Sequence, residues 1–465
     1  MTSLRSPMQR TPNSVPLPPL ATAAPLFGEK VPLAAPTLPP LDAVLVEIRR
    51  LLEQSQLTNG ETVRCFEEQA ADYLGVPECV AVSSCTSGLM LVERMMGLSG
   101  EVIVPSFTFF ATAHSLLWNG LEPVLVDCDA RTFNVDPRRV EEAISSDTSA
   151  ILGVHVFGCP AAVKELERIA ARRGLRLIFD GAHAFGSQVD GTSVARWGDA
   201  TVYSLTPTKP LIAGEGGLIA TRDPELARRL RQARNYGKGE DYDCRLLGLN
   251  ARMTEIQAAL GRAGLPLVEQ GVRRRNELAS IYEERLAGIE GLRMQAVDAP
   301  LRSSRKDFPV VIDAPSFGCT RDELESFLAT DNIETRRYFD PPLHRQHLYS
   351  AGHASHGGDL PVTDAISANV LCLPLFAGLK TEIVEAIAER IDAIGRSLGP
   401  NHTQRPAEKA KAPRTPADMD IEKQVLKEIT DDALDDSSEF EFHDLGVSLG
   451  GRRRRPGHSR YGLDE

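Results

Sequence analysis

Three short stretches of this chain combine residue types that could hold and activate a small anionic ligand. The first is Val82-Ser83-Ser84-Cys85-Thr86-Ser87-Gly88, between the apolar run Cys79-Val80-Ala81-Val82 and a helix expected to begin near Leu89. Small hydroxylated residues at a helix start, with free N–H groups and the positive end of the dipole, form a phosphate cradle, although the same residues also suit an ordinary cap. The second is Phe179-Asp180-Gly181-Ala182-His183, which puts a carboxylate at the end of an apolar strand. A buried Asp is costly unless it meets a cation; its plainer alternative is to cap the following loop. The third is Ser204-Leu205-Thr206-Pro207-Thr208-Lys209, followed by Gly214-Glu215-Gly216-Gly217. A lysine packed among Pro, Leu and Ile loses solvation and has its pKa lowered, as imine formation requires, whereas a lone lysine otherwise reads as solvated surface. All three fall at strand ends, where an open α/β sheet places its ligands.

The elements that must carry them alternate. Short apolar runs (CVAV, VIVP, PVLVDCD, AILGVHVFG, LRLIFD, ATVYSL, GLIAT) are separated by amphipathic stretches such as CPAAVKELERIAARRG and PELARRLRQARNYG. The alternation predicts an α/β fold with a mostly parallel, helix-covered sheet. A helical stretch from Met253 to Leu286, broken near Gly264-Leu265-Pro266, leads into shorter strands and helices that read as a smaller C-terminal α+β domain. We therefore expect a disordered arm over 1–28, a large cofactor-binding domain over 29–265, a small domain over 266–398 and a disordered charged tail over 399–465.

The whole chain sets the bounds. Its 465 residues suffice for a large and a small domain, and 42% hydrophobic with 25% charged residues is ordinary for a globular protein. No run approaches the ~20 apolar residues of a membrane span. A net charge of -12 argues against a nucleic-acid partner. Eight cysteines without a C-x-x-C pair, and an N-terminus without an apolar signal segment, lead us to expect reduced thiols in the cytoplasm.

Taken in order, the motifs resemble one family, the fold-type-I pyridoxal phosphate enzymes of the sugar aminotransferase group known as DegT/DnrJ/EryC1/StrS. The resemblance covers about residues 30 to 395. Ser84-Cys85-Thr86-Ser87-Gly88 matches the family's phosphate loop, with Cys85 and Gly88 departing from its common residues; a cradle built of backbone N–H groups tolerates that. Pro105-Ser106-Phe107-Thr108-Phe109 matches a stretch whose last aromatic stacks on the cofactor ring. The resemblance implies that Cys85 and Thr86 bind phosphate with Ser204, Phe109 stacks on the ring, Asp180 pairs with the pyridine nitrogen, His183 lies beside the ring, and Lys209 forms the Schiff base. Asn250, in Gly248-Leu249-Asn250-Ala251-Arg252, would reach the phosphate of a neighbouring subunit, which implies a homodimer with shared sites. His344, in Pro341-Pro342-Leu343-His344, is placed in the substrate pocket. No metal is expected, because His344, His347, His353 and His356 lack a Cys or carboxylate at ligand spacing.

The expected function is transfer of an amino group from an amino acid, glutamate or glutamine, to a keto-sugar or keto-cyclitol. Two alternatives stay open: a sugar dehydratase of the same family, in which the lysine is replaced, and a non-catalytic regulatory protein working through its tail.

Overall fold

The computed structural model describes residues 24–239, 241–356 and 358–398. Among them, eight strands form one sheet in the order β1-β9-β8-β5-β4-β2-β3-β13. They are β1 (Glu78–Val82), β2 (Glu101–Pro105), β3 (Glu122–Val126), β4 (Thr148–Val154), β5 (Arg176–Asp180), β8 (Ala200–Ser204), β9 (Gly217–Thr221) and β13 (Ser355–His356). The short β6 (Gln188–Val189) and β7 (Thr192–Ser193) pair with β11 (Leu301–Arg302), whereas β10 (Leu292–Met294), β12 (Phe308–Ile312) and β14 (Val370–Leu373) form a separate antiparallel sheet.

In the large sheet the run from β13 to β8 is parallel, and β9 is antiparallel to both β8 and β1. The mostly parallel, helix-covered sheet expected from sequence is thus present. Its strands read as unbroken apolar runs because both faces are covered. Along β1, Cys79 and Ala81 enter one core while Val80 and Val82 enter the other, and in β5 Leu177 and Phe179 oppose Ile178 in the same way. Burial on both sides leaves charge acceptable only at strand ends, where Asp180 stands; the hydroxyl of Ser204 ends β8 in the same way.

The helical stretch after Thr254 divides where Pro266 lacks an N–H: one helix spans Glu255–Gly264, a 3-10 turn spans Leu265–Leu267, and a second helix spans Val268–Leu286. The latter packs with helices Arg321–Thr330 and Thr381–Leu398 around the small antiparallel sheet, over a core of Tyr282, Phe308, Leu324, Leu371 and Ile387.

Two details refine the expected boundaries. β13, well beyond residue 265, adds to the edge of the large sheet beside β3. The segment before the first helix is also part of the fold: Leu26 donates its N–H to Asp331 Oδ1 (3.1 Å) and Val31 donates to the Asn332 carbonyl (2.8 Å). The arm expected to end at 28 therefore gives way to attached chain by Leu26. Residues 1–23 of that arm and the tail from 399 lie outside the described residues.

Candidate active site

The phosphate-cradle candidate is a helix start, one turn earlier than expected. Helix Cys85–Met95 is capped by Ser84, whose Oγ accepts from Ser87 N (3.0 Å) while Ser87 Oγ accepts from Ser84 N (3.1 Å). Cys85 and Thr86 occupy the first helical positions, whose N–H groups have no acceptor within the helix. The loop is held close to the sheet: a Cβ on Gly217 would lie 2.5–2.7 Å from backbone atoms of Ser84 and Cys85, and one on Gly88 would lie 2.7 Å from Val202.

Asp180 ends β5, only 5% exposed. Its Oδ2 accepts from Thr112 Oγ1 (2.8 Å) and its Oδ1 from Ala182 N (2.9 Å), with Cys85 Sγ at 4.0 Å. Among the described residues it forms no ion pair. Burial pushes its carboxyl above the usual range, opposed by the Ala182 N–H, the Thr112 hydroxyl and the Lys209 charge. A buried carboxylate with hydrogen-bond donors but no cation is a receptor for a positive charge from a ligand.

His183 Nδ1 accepts from the N–H of Phe157 (3.2 Å), and the two rings stack at 6.3 Å. Because a backbone N–H can only donate, the neutral imidazole carries its proton on Nε2. Burial first, then the positive charges of Lys209 and Lys306, holds its pKa well below the ordinary value.

Lys209 follows β8 in a loop whose ends are tied by Leu205 N to Gly216 O (3.0 Å), and its own N–H donates to Thr206 O (3.0 Å). Its ammonium pKa is pulled down to about 8 by burial and by Lys306, against the charges of Asp307, Cys85 and Asp180. Ser204 Oγ lies 3.4 Å from Thr206 Oγ1. Phe109 caps helix Phe110–Trp118 and is 46% exposed, its ring 3.9 Å from that of Phe110.

Cys85, Asp180 and His183 thus each come within electrostatic reach of Lys209. Two expected residues lie apart from that group. Asn250 is exposed, next to Ala251, whose carbonyl accepts from Ser83 N (2.8 Å). His344 has both ring nitrogens engaged, Nδ1 with Ser106 Oγ (2.7 Å) and Nε2 with Asp364 Oδ1 (2.9 Å), so it joins segments rather than offering a nitrogen to a ligand. Sequence reasoning missed Thr112 and the buried pair Lys306–Asp307 (2.6 Å). The adjacent opposite charges leading into the apolar run Phe308–Ile312 were the available signal. Among the described residues no group of three or more His, Cys, Asp or Glu is placed to hold a metal ion, and no helix is long and apolar enough to cross a membrane.

A loop lysine, a buried carboxylate and a helix-start cradle, gathered at the strand ends of a mostly parallel sheet, define a fold-type-I aminotransferase. The chain belongs to the DegT/DnrJ/EryC1/StrS aminotransferase family, whose model matches residues 42–392. Enzymes of that family depend on pyridoxal phosphate. The chain is 32% identical over 363 residues to an Escherichia coli dTDP-4-amino-4,6-dideoxy-D-glucose transaminase, covering 77% of this chain and 97% of the relative. Among solved structures it resembles DesI in the presence of its TDP-sugar product, with a TM-score of 0.75 and 35% identity over 80% of this chain and 94% of that one. It also resembles a putative sugar aminotransferase of Streptococcus pneumoniae, Spr1654, in its PLP-form, with a TM-score of 0.73 and 25% identity over 79% of this chain and 99% of that one.

Proposed function

We infer that this enzyme moves an amino group from glutamate or glutamine to the ketone of a nucleotide-linked sugar in the cytoplasm, with pyridoxal 5'-phosphate attached at Lys209. The observation that carries the reading is Asp180, a buried carboxylate hydrogen-bonded by Thr112 and Ala182 yet in no ion pair among the described residues. A protonated pyridine nitrogen supplies the missing charge.

When bound, the cofactor serves as an electron sink for the carbon that loses its proton. Asp180 keeps the ring nitrogen protonated by its negative charge. The N–H groups of Cys85 and Thr86, with the hydroxyl of Ser204, hold the phosphate, and the exposed ring of Phe109 offers an aromatic face. His183 presents Nε2–H toward the ring edge. Lys209, with its amine about half deprotonated near pH 8, provides the nitrogen for covalent attachment; once displaced by the donor it takes the proton from the donor's α-carbon as general base and returns it as acid. A dehydratase lacking such an amine is disfavoured by the presence of Lys209.

We further infer a homodimer in which Asn250 completes the partner's phosphate site. Exposed Leu41, Leu45, Val46, Leu52 and Leu57, along and just after helix Leu41–Gln54, support self-association.

Borohydride treatment of the yellow protein is expected to bleach its visible band and leave the cofactor's mass on the peptide containing Lys209. Label on any other peptide overturns the assignment. Incubation with keto-sugar nucleotides and either donor, read by mass spectrometry, should yield an amino sugar and a 2-keto acid.

A further inference from the structure

Near the end of helix Cys85–Met95, whose side chains Leu89, Val92 and Met95 join Leu116 of helix Phe110–Trp118 in one apolar core, stands a carboxyl: Glu93, only 1% exposed. Among the described residues it forms no ion pair. Its Oε1 lies 2.6 Å from Ser115 Oγ, and its Oε2 accepts from Nδ2 of Asn119 (2.8 Å), which also donates to the Met90 carbonyl (2.9 Å). One buried side chain thus joins the helix that opens at the proposed phosphate cradle to the helix that opens at Phe109. Hydrogen counting fixes its state. Ser115 Oγ also lies 2.9 Å from the Thr112 carbonyl, to which it can only donate, and a hydroxyl has a single hydrogen. Both contacts are full hydrogen bonds when Glu93 is protonated on Oε1 and donates to Ser115. Burial pushes this carboxyl up to about 8 against the Ser115 and Asn119 hydrogen bonds, and the charge of Asp180 works in the same direction as burial.

From Ser115 the connection runs into the site. Thr112, one turn earlier on the same helix, donates its hydroxyl to Asp180 Oδ2 (2.8 Å) and has Thr108 Oγ1 at 3.0 Å. We propose that Glu93 is a positioning residue for the cofactor: protonated, it holds Ser115, and with it the first turns of helix Phe110–Trp118, where the Thr112 hydroxyl keeps Asp180 an anion for the ring nitrogen. The proposal rests on the pyridoxal phosphate reading given above. A shift of that helix withdraws the hydroxyl from Asp180, and a buried carboxylate that loses a donor takes up a proton and gives up its ion pair.

The test titrates cofactor-free protein with pyridoxal phosphate and with its 1-deaza analogue, which keeps the aldehyde and the phosphate but has carbon in place of the ring nitrogen. Glu93→Leu should raise the Kd for pyridoxal phosphate about tenfold and that for the analogue less than about threefold, because in the analogue Asp180 has no nitrogen to meet. Glu93→Gln can donate to Ser115 from its amide nitrogen and accept from Asn119 with its oxygen, so it should bind both compounds within about twofold of wild type. An equal rise for both compounds in Glu93→Leu overturns the proposal, since Glu93 would then serve the fold or the cradle alone. Wild-type affinity in Glu93→Leu overturns it too, as does a loss in Glu93→Gln as large as in Glu93→Leu. Should Glu93→Leu not fold, Ser115→Ala interrupts the same path and is read with the same two compounds. Binding of neither compound by the wild-type protein would overturn the cofactor reading and this proposal with it, whereas equal losses in the variant leave that reading in place.

Discussion

The reactivity of Lys209 comes from its surroundings: burial and the Lys306 ammonium lower its pKa from an ordinary 10.5 to about 8. Between these two values the folded chain binds fewer protons than the unfolded one, so this group makes stability rise with pH across that window. The same shift predicts how cofactor-free protein captures pyridoxal phosphate. Only the neutral amine attacks, so the yield of borohydride-trapped adduct should rise with pH with a midpoint near 8. A midpoint near 10 would show that Lys209 is solvated like a surface lysine. At this scale, the sequence singled out Asp180, His183 and Lys209 because each stands at or shortly after the end of an apolar run. Thr112 was not, because its hydroxyl meets Asp180 only after two separate strand–helix units pack together, and Lys306 meets Lys209 only through the docking of the small sheet.

Among the elements, the strand β9 has the most specific task. It runs against its neighbours, and its first residue, Gly217, lies directly under the start of helix Cys85–Met95. Gly217→Ala would drive a methyl into the backbone of Ser84 and Cys85, at 2.5–2.7 Å. Overpacking of that kind costs about 1–3 kcal/mol. The strain falls on the proposed phosphate cradle, so the Kd for pyridoxal phosphate should rise about tenfold while far-UV circular dichroism stays unchanged; wild-type affinity would mean the loop yields freely. Seven strands of the large sheet could be read from their apolar runs, but the reversed direction of β9 could not, since burial on both faces looks the same in either direction. The early start of helix Cys85–Met95 escaped notice because its capping pair, Ser84 with Ser87, lacks the usual Glu or Gln three residues after the cap.

For the molecule as a whole, the proposed sharing of a site between subunits would tie cofactor affinity to assembly. If Asn250 completes the partner's cradle, dilution below the dimer's dissociation constant should release cofactor, and Asn250→Ala should weaken cofactor binding while light scattering still reports a dimer. Cofactor affinity independent of protein concentration would count against shared sites. A smaller C-terminal domain was expected from the change in element length after Leu286, but the return of β13 to the large sheet was not, because a two-residue strand carries no periodicity. Residues 24–28 were read as part of a disordered arm for a similar reason: the bonds from Leu26 and Phe27 go to Asp331, far along the chain. The N-terminal segment runs from Asp331 and Asn332, through a bond from Leu375 N to Leu33 O (3.1 Å), to Ala34, Ala35 and Thr37 at the wall beside Lys209. Mass action then works in both directions: a molecule that binds beside Lys209 only while this strap is seated lends the strap its binding free energy, and whatever peels the strap away lowers that molecule's affinity by the same factor.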